Sequence, residues 1–155
     1  MAIHKVDGVD GENNFPKKFV RLRTKVAAGD TLSAGDWVAI DLVDTENGLG
    51  GTAVKAPATA GGAAFTFGVA TETIDNSSGG ALKYEVITIQ TAGKYVNANV
   101  ATASTAGLAL TVDNATDAGR ADIRVDGDEA PPCAVALEDA TSNTADVMII
   151  NKGYF

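Results

Sequence analysis

The chain has 155 residues, a formal net charge of −8, an apolar fraction of 45% and 17 glycines. This length predicts a single domain, and no apolar run reaches the roughly 18 residues that a membrane-spanning helix needs. Cys133 is the single cysteine, which excludes an internal disulfide and a cysteine-ligated metal centre, and the acidic balance opposes binding to nucleic acid.

Charge separates the start of the chain from the rest. Six of the 12 lysines and arginines lie in residues 1–25 against three acids, so this segment carries about +3 and residues 26–155, with six basic and 17 acidic residues, carry about −11. Residues 1–16 show no apolar periodicity, which is typical of an extended arm. The sequence therefore predicts a basic N-terminal arm over 1–25 and a folded domain over 26–155.

From residue 19 the pattern becomes regular. One alternating set is apolar or small, and the other carries the cations, which predicts a strand with one apolar and one basic face. The basic face has two interpretations: a solvated outer face on an edge strand, or a cationic surface that meets a partner. The two sets are Val20, Leu22, Thr24 and Val26, and Phe19, Arg21, Arg23 and Lys25.

Further short strands follow, separated by turns rich in Gly, Asp and Asn. A long glycine-rich stretch covers residues 44–62, and a short helix over 97–106 stays open as an alternative, although Thr and Asn are poor helix formers. Short strands at this spacing predict an all-β fold, either a small barrel or a sandwich. The predicted strands cover residues 37–43, 64–74, 82–91, 108–112, 121–125, 133–138 and 146–150.

The second half of the chain repeats a strand–turn–strand unit of the first half. Residues 68–95 and 134–154 each contain an apolar strand that ends in Glu, a polar turn and a second apolar strand. Such a doubled hairpin predicts an internal pseudo-repeat. The matching residues are Val69, Glu72, Val86 and Gly93 in the first unit and Val135, Glu138, Val147 and Gly153 in the second.

Few residues offer chemistry. His4 is the only histidine and lies in the predicted arm, so the body has no base for a catalytic triad. We expect Cys133 and Trp37 to be core residues rather than a nucleophile and a ligand contact. Glu72 and Glu138 are expected to end strands at the surface rather than to form a glycosidase pair. The sequence therefore predicts no enzyme, no cofactor and no metal site.

Several segments resemble the small capsid decoration proteins of tailed bacteriophages. They are residues 134–140, which read Ala-Val-Ala-Leu-Glu-Asp-Ala, the closing strand 146–150, and the Ala-Gly-Asp turns at 28–30 and 34–36. The chain departs from the family pattern at residues 133–135, where a glycine is usual, and in its long stretch at 44–62.

The resemblance implies a small β-barrel or β-tulip-like domain on the outer surface of the virion. It also implies homotrimers at threefold positions of the expanded head, and an N-terminal arm that contacts the major capsid protein, with no nucleic-acid or membrane partner. Within the arm, the expected apolar anchors are Phe15, Phe19, Val20 and Leu22, and the expected charges are Arg21, Arg23 and Lys25.

Two other classes of protein remain open at this stage. A module that binds carbohydrate or a host surface would use Trp37 and the glycine-rich stretch at 44–62. A small structural protein of a phage tail would share the strand pattern and the oligomerisation.

Overall fold

The computed structural model describes residues 16–41, 52–55, 66–112, 117–125 and 131–150. These residues form strands and turns and contain no helix, so no helix among them is long or apolar enough to cross a membrane. The predicted all-β class is confirmed. The strands are β1 Lys18–Val26, β2 Thr31–Leu32, β3 Trp37–Asp41, β4 Thr52–Lys55, β5 Thr66–Ala70, β6 Ile74–Asp75, β7 Lys83–Asn99, β8 Ala109–Thr111, β9 Asp122–Ile123, β10 Ala134–Ala136 and β11 Thr144–Ile149.

Five strands close into a barrel, which we call ring 1. Its order is β1-β4-β3-β5-β7, and β1 pairs back onto the first half of β7 from Lys18 to Val26. The join between β1 and β4 is a parallel pairing at Thr24 and Ala53. Closure removes the exposed strand edges that an open sheet would present.

The remaining strands form a second, smaller closed arrangement, which we call ring 2. The second half of β7 pairs with β11, which continues through β10 and β8 to β9. A parallel bridge between Val100 and Ala121 then joins the end of β7 to the start of β9. Ring 2 is therefore closed in the same manner as ring 1, by one parallel bridge.

The strand register shows that ring 2 repeats ring 1. In ring 1, Trp37 of β3 faces Val69 of β5, and Val69 faces Gln90 of β7. In ring 2, Ala109 of β8 faces Val135 of β10, and Val135 faces Met148 of β11. At these paired positions β3, β5 and the first half of β7 thus correspond to β8, β10 and β11. This is the predicted pseudo-repeat, extended to a whole barrel.

The turns that enter the two rings are built alike. Gly35 donates its backbone N–H to the Ala70 carbonyl at 2.9 Å. Gly107 donates in the same way to the Ala136 carbonyl at 2.8 Å. Both glycines have positive φ, 96° and 82°, a conformation that favours glycine over other residues.

The register corrects one detail of the predicted repeat. Val86 was matched to Val147, but Ile89 faces Ala70 as Val147 faces Ala136, so Ile89 is the structural counterpart. Burial agrees, because Ile89 and Val147 are fully buried whereas Val86 is 53% exposed. Gly153 lies outside the described residues.

Strand β7 is longer than predicted and runs through both rings. The strand continues through Gly93 to Asn99, and residues 100–106 form a bridge and turns, so the possible helix over 97–106 is wrong. Gly93 lies within it at φ 86°, and an added Cβ would lie 3.0 Å from the Lys17 Cα. Glycine is therefore needed where the strand passes from one ring to the other.

Each ring encloses its own apolar cluster, and Trp37 belongs to the cluster of ring 2 although it lies on a strand of ring 1. Its side chain is fully buried, and its indole N–H donates to the Asn99 carbonyl at 2.9 Å. The Trp37 backbone N–H also donates to the Gly119 carbonyl at 2.8 Å. The prediction that Trp37 is a core residue is confirmed. The side chain lies at the contact between the two rings.

Replacing Trp37 by Ala should weaken the whole fold. The substitution removes the largest buried side chain at the contact between the rings, so we expect the free energy of unfolding to fall by about 3–5 kcal/mol. Equilibrium urea denaturation measures this. Leu82→Ala, at a side chain that is 40% exposed, is the control and should change stability by less than about 1 kcal/mol. An equal loss in both variants would contradict the role given to Trp37.

Candidate interaction surface

The basic face of β1 lies on the outside of ring 1. Phe19 is 54% exposed, and Arg21 and Arg23 are exposed beside it. Across the β1–β7 pairing Arg23 faces Val86, which is 53% exposed. We call Phe19, Arg21, Arg23 and Val86 the β1 strip. It combines two exposed apolar side chains with two guanidinium groups on a chain whose overall charge is negative.

The arginines of the β1 strip are held by neighbours on β7. The Arg23 guanidinium carbon lies 4.3 Å from the centre of the Tyr84 ring, a cation–π contact that orders the side chain. Arg21 Nη2 donates to the Val86 carbonyl at 3.5 Å. Both contacts reduce the side-chain entropy that a partner would otherwise have to remove on binding.

The structure describes six of the seven predicted contact residues and separates these six into three groups. Val20 and Leu22 pack against the core of ring 1, so the prediction that they are surface anchors is wrong: alternation along β1 turns them inward. Lys25 forms an ion pair with Asp41 at 3.1 Å. Phe15 lies outside the described residues. Of the seven predicted residues, Phe19, Arg21 and Arg23 are the ones that the structure places together on the outer surface.

The domain boundary predicted at residue 25 also needs correction. From Lys18 the chain is β1, which pairs with β7 along its whole length and forms a wall of ring 1. The apolar face of this strand is required by the core, so it cannot belong to an arm separate from the body. A separate arm can extend only as far as Lys17.

Glu72 lies at the surface after β5 and supports β7. Its carboxylate accepts a hydrogen bond from the Thr88 backbone N–H at 2.8 Å, and this bond lowers the pKa of Glu72, with a smaller contribution from the Arg21 charge. In ring 2 the Glu138 carboxylate accepts the equivalent hydrogen bond, from the Asp146 backbone N–H at 3.0 Å. The two glutamates are equivalent by the repeat, and each ends a strand at the surface, as predicted.

Asp36 lies under ring 2 at the contact between the rings. Its carboxylate accepts hydrogen bonds from the Ser33 backbone N–H at 2.8 Å and from the Asn99 side-chain amide at 2.5 Å. Burial raises the pKa of Asp36, although these two hydrogen bonds act in the opposite direction. The hydrogen bond to Asn99 connects the start of β3 to the end of β7, and the carboxylate is buried.

The described residues offer little chemistry besides the β1 strip. They hold no group of three or more potential metal ligands. A cavity of about 160 Å³ lies between β1, β4 and the residues before β7, but its two lysines are already paired: Lys25 with Asp41 and Lys55 with Asp30, at 3.1 and 2.9 Å. Cys133 is buried in ring 2, so the prediction of a core cysteine is confirmed.

Sequence reasoning missed the contribution of β7 to this surface. Tyr84 and Val86 were assigned to a strand, but only the register of β1 on β7 shows that they lie beside Arg23. Comparison with protein-family models, with curated proteins and with solved structures finds no match to this chain. The function must therefore be inferred from the surface itself and from the resemblance of the sequence.

Glu72→Gln should make the stability of the fold less dependent on pH. Because the pKa of Glu72 is lowered in the folded state, its charge stabilises the fold above the ordinary value of 4.5, and this contribution is lost as the pH falls through the lower folded value. We expect the variant to be less stable than the wild type at neutral pH and equal to it in strong acid. Urea denaturation over a pH series measures this.

The control is Glu85→Gln, which removes an exposed carboxylate paired with Lys83 instead of with a backbone N–H. A difference between the wild type and Glu72→Gln that stays constant with pH would show that the hydrogen bond to Thr88 does not depend on the charge of Glu72.

Proposed function

We propose that this chain is a structural decoration protein of a tailed-bacteriophage head. It binds the major capsid protein on the outer surface of the expanded shell, as trimers at threefold positions, and stabilises that shell. Two observations support the proposal: the resemblance of residues 134–140, 146–150 and the Ala-Gly-Asp turns to that family, and the β1 strip. The β1 strip is the observation that carries it.

The composition of the β1 strip fits a protein partner better than a nucleic acid or a small molecule. Exposed apolar side chains beside ordered arginines are typical of protein interfaces, where aromatic and arginine residues supply much of the binding energy. Phe19 and Val86 are each more than half exposed, so a partner would bury apolar surface that water now covers. A partner with acidic groups around an apolar patch is the complement of this surface.

The strip contributes to binding through side chains. β1 already pairs with β7 from Lys18 to Val26 and with β4 at Thr24, as a wall of ring 1. If the arm adds a strand to the coat protein, that role falls to residues before β1. Recognition by the described residues therefore depends on the Phe19 ring and the two guanidinium groups.

Stabilisation of the shell follows from binding alone. A protein that binds only the expanded form lowers the free energy of that form by RT ln(1 + [L]/Kd) for each site. Many copies on one shell multiply this effect, and no catalytic step is needed. An enzyme active site is thus not part of the proposal.

The structure does not favour a carbohydrate-binding module that uses Trp37, because this side chain is inaccessible to a ligand. Trp37 is fully buried between the rings, and its indole N–H is already bonded to Asn99. A sugar could not stack on this ring without separating ring 1 from ring 2.

Co-sedimentation with expanded, undecorated capsids and with unexpanded precursors tests the proposal. We expect saturable binding to the expanded form only, near one chain per coat subunit. Binding to tail fractions instead would favour a tail structural protein, and binding to no particle would overturn the proposal.

Arg23→Glu should weaken capsid binding without unfolding the protein. The substitution reverses the charge at the centre of the β1 strip, where a loss of about 2 kcal/mol, or roughly 30-fold in Kd, is expected of an interface hot spot. The control is Arg120→Glu, which reverses an arginine paired with Asp117 in ring 2. Equal binding by both variants would show that the β1 strip is not the contact. Deletion of residues 1–15 separately tests the arm.

A further inference from the structure

A cavity opens at the surface of ring 1 beside the end of β1. Its volume is about 160 Å³, and we call it the β1 cavity. Val26 and Leu32 form its buried floor, at 3% and 0% exposure, whereas Leu82 at its mouth is 40% exposed. The apolar side chains that line the cavity are Val26, Ala27, Leu32, Val54 and Leu82.

The size and the lining of the β1 cavity fit one apolar side chain. An apolar cavity of about 150 Å³ in a protein holds a benzene-sized molecule, which is close to the size of a phenylalanine ring or a leucine side chain. The charged groups at the cavity already have partners, because Lys25 is paired with Asp41 and Lys55 with Asp30, at 3.1 and 2.9 Å. A charged ligand would have to break these ion pairs, whereas an apolar side chain leaves them intact.

The walls of the β1 cavity are held in place by one buried amide. The Asn76 side chain donates hydrogen bonds to the Ala27 carbonyl at 2.8 Å and to the Ala81 carbonyl at 2.9 Å. It thereby connects the turn after β1 to the residue before Leu82, on two sides of the cavity. Asn76 is itself buried, so water competes little for these bonds. The cavity therefore has a fixed shape before a partner binds, which lowers the ordering cost of binding.

The β1 cavity continues the β1 strip. Lys25, at the cavity, follows Arg23 on the same face of β1, two residues further along the strand. Lys25 also faces Tyr84, the ring that the Arg23 guanidinium contacts. Phe19 lies six residues before Lys25, or about 20 Å along the strand. A standard protein interface covers about 800 Å² on each partner, so one partner can contact the β1 strip and the β1 cavity together.

We propose that the β1 cavity receives one apolar side chain, of the size of leucine or phenylalanine, from the coat protein that binds the β1 strip. Interface hot spots are typically side chains that fill well-packed pockets from which water is excluded. The identity of the partner rests on the proposed function, and the cavity adds the chemistry that this partner must present. That chemistry is an exposed apolar side chain, with acidic groups beside it that face Arg21 and Arg23.

Titration with blocked amino acids tests the cavity in solution without capsids. The probes are N-acetyl-leucinamide and N-acetyl-phenylalaninamide, and N-acetyl-glutaminamide is a polar control of similar size. Methyl NMR spectra of the full chain measure the binding. We expect the apolar probes to cause saturable shifts of the Val26, Val54 and Leu82 methyl signals, and the glutamine compound to cause none. Absence of these shifts with both apolar probes would overturn the inference.

Ala27→Trp tests whether the coat protein uses the cavity. Ala27 lines the cavity and is exposed, so a tryptophan at this position can fill the space that the side chain of the partner would occupy. We expect the affinity for expanded capsids to fall about 30-fold, a loss typical of a hot spot. Ala103→Trp, at an exposed alanine of ring 2, is the control and should bind as the wild type does. Circular dichroism and urea denaturation check that both variants are folded.

Leu82→Asp places a carboxylate at the mouth of the cavity and replaces Ala27→Trp if that variant does not fold, with the same expected loss. Wild-type affinity of the folded variant for capsids would overturn the inference and leave the decoration role intact. If the wild type binds no capsid, the proposed function and the coat protein as partner are both overturned, whereas binding of the apolar probes still supports the cavity as a site for an apolar side chain.

Discussion

Burial of the Trp37 indole between the two rings is the contact on which the rest of the structure depends. The indole leaves the wall of ring 1 and joins the apolar cluster of ring 2, and its N–H is bonded to the Asn99 carbonyl. Asp36 reinforces the same place through the Asn99 amide. Because β7 belongs to both rings, this contact fixes the position of one ring on the other.

The two rings share one backbone design but differ in what they present outward. Register, turn glycines and the glutamates after β5 and β10 are repeated, so the backbone hydrogen bonds are satisfied in the same way twice. The outer positions diverge: ring 1 carries exposed arginines with Phe19 on one face and Trp37 on another, whereas ring 2 exposes Leu137 and Val96. Divergence at these outward-facing positions leaves each ring with its own apolar cluster.

Much of the fold could be predicted from local patterns, and the rest depended on register. Alternation along residues 19–26 and the repeated Val and Glu of residues 68–72 and 134–138 predicted strands and a pseudo-repeat. The inward direction of Val20 and Leu22, the passage of β7 through Gly93 and the meeting of Arg23 with Tyr84 are set by strand pairing, which no local pattern shows. The candidate surface was therefore predicted in its β1 half and missed in its β7 half.

A cryo-electron microscopy reconstruction of expanded capsids saturated with the protein is the most direct test of the account. We expect the density to show ring 1 in contact with the coat protein through Phe19, Arg21 and Arg23, with ring 2 turned away from the shell. Density that places ring 2 on the coat protein and leaves the β1 strip in solvent would contradict it.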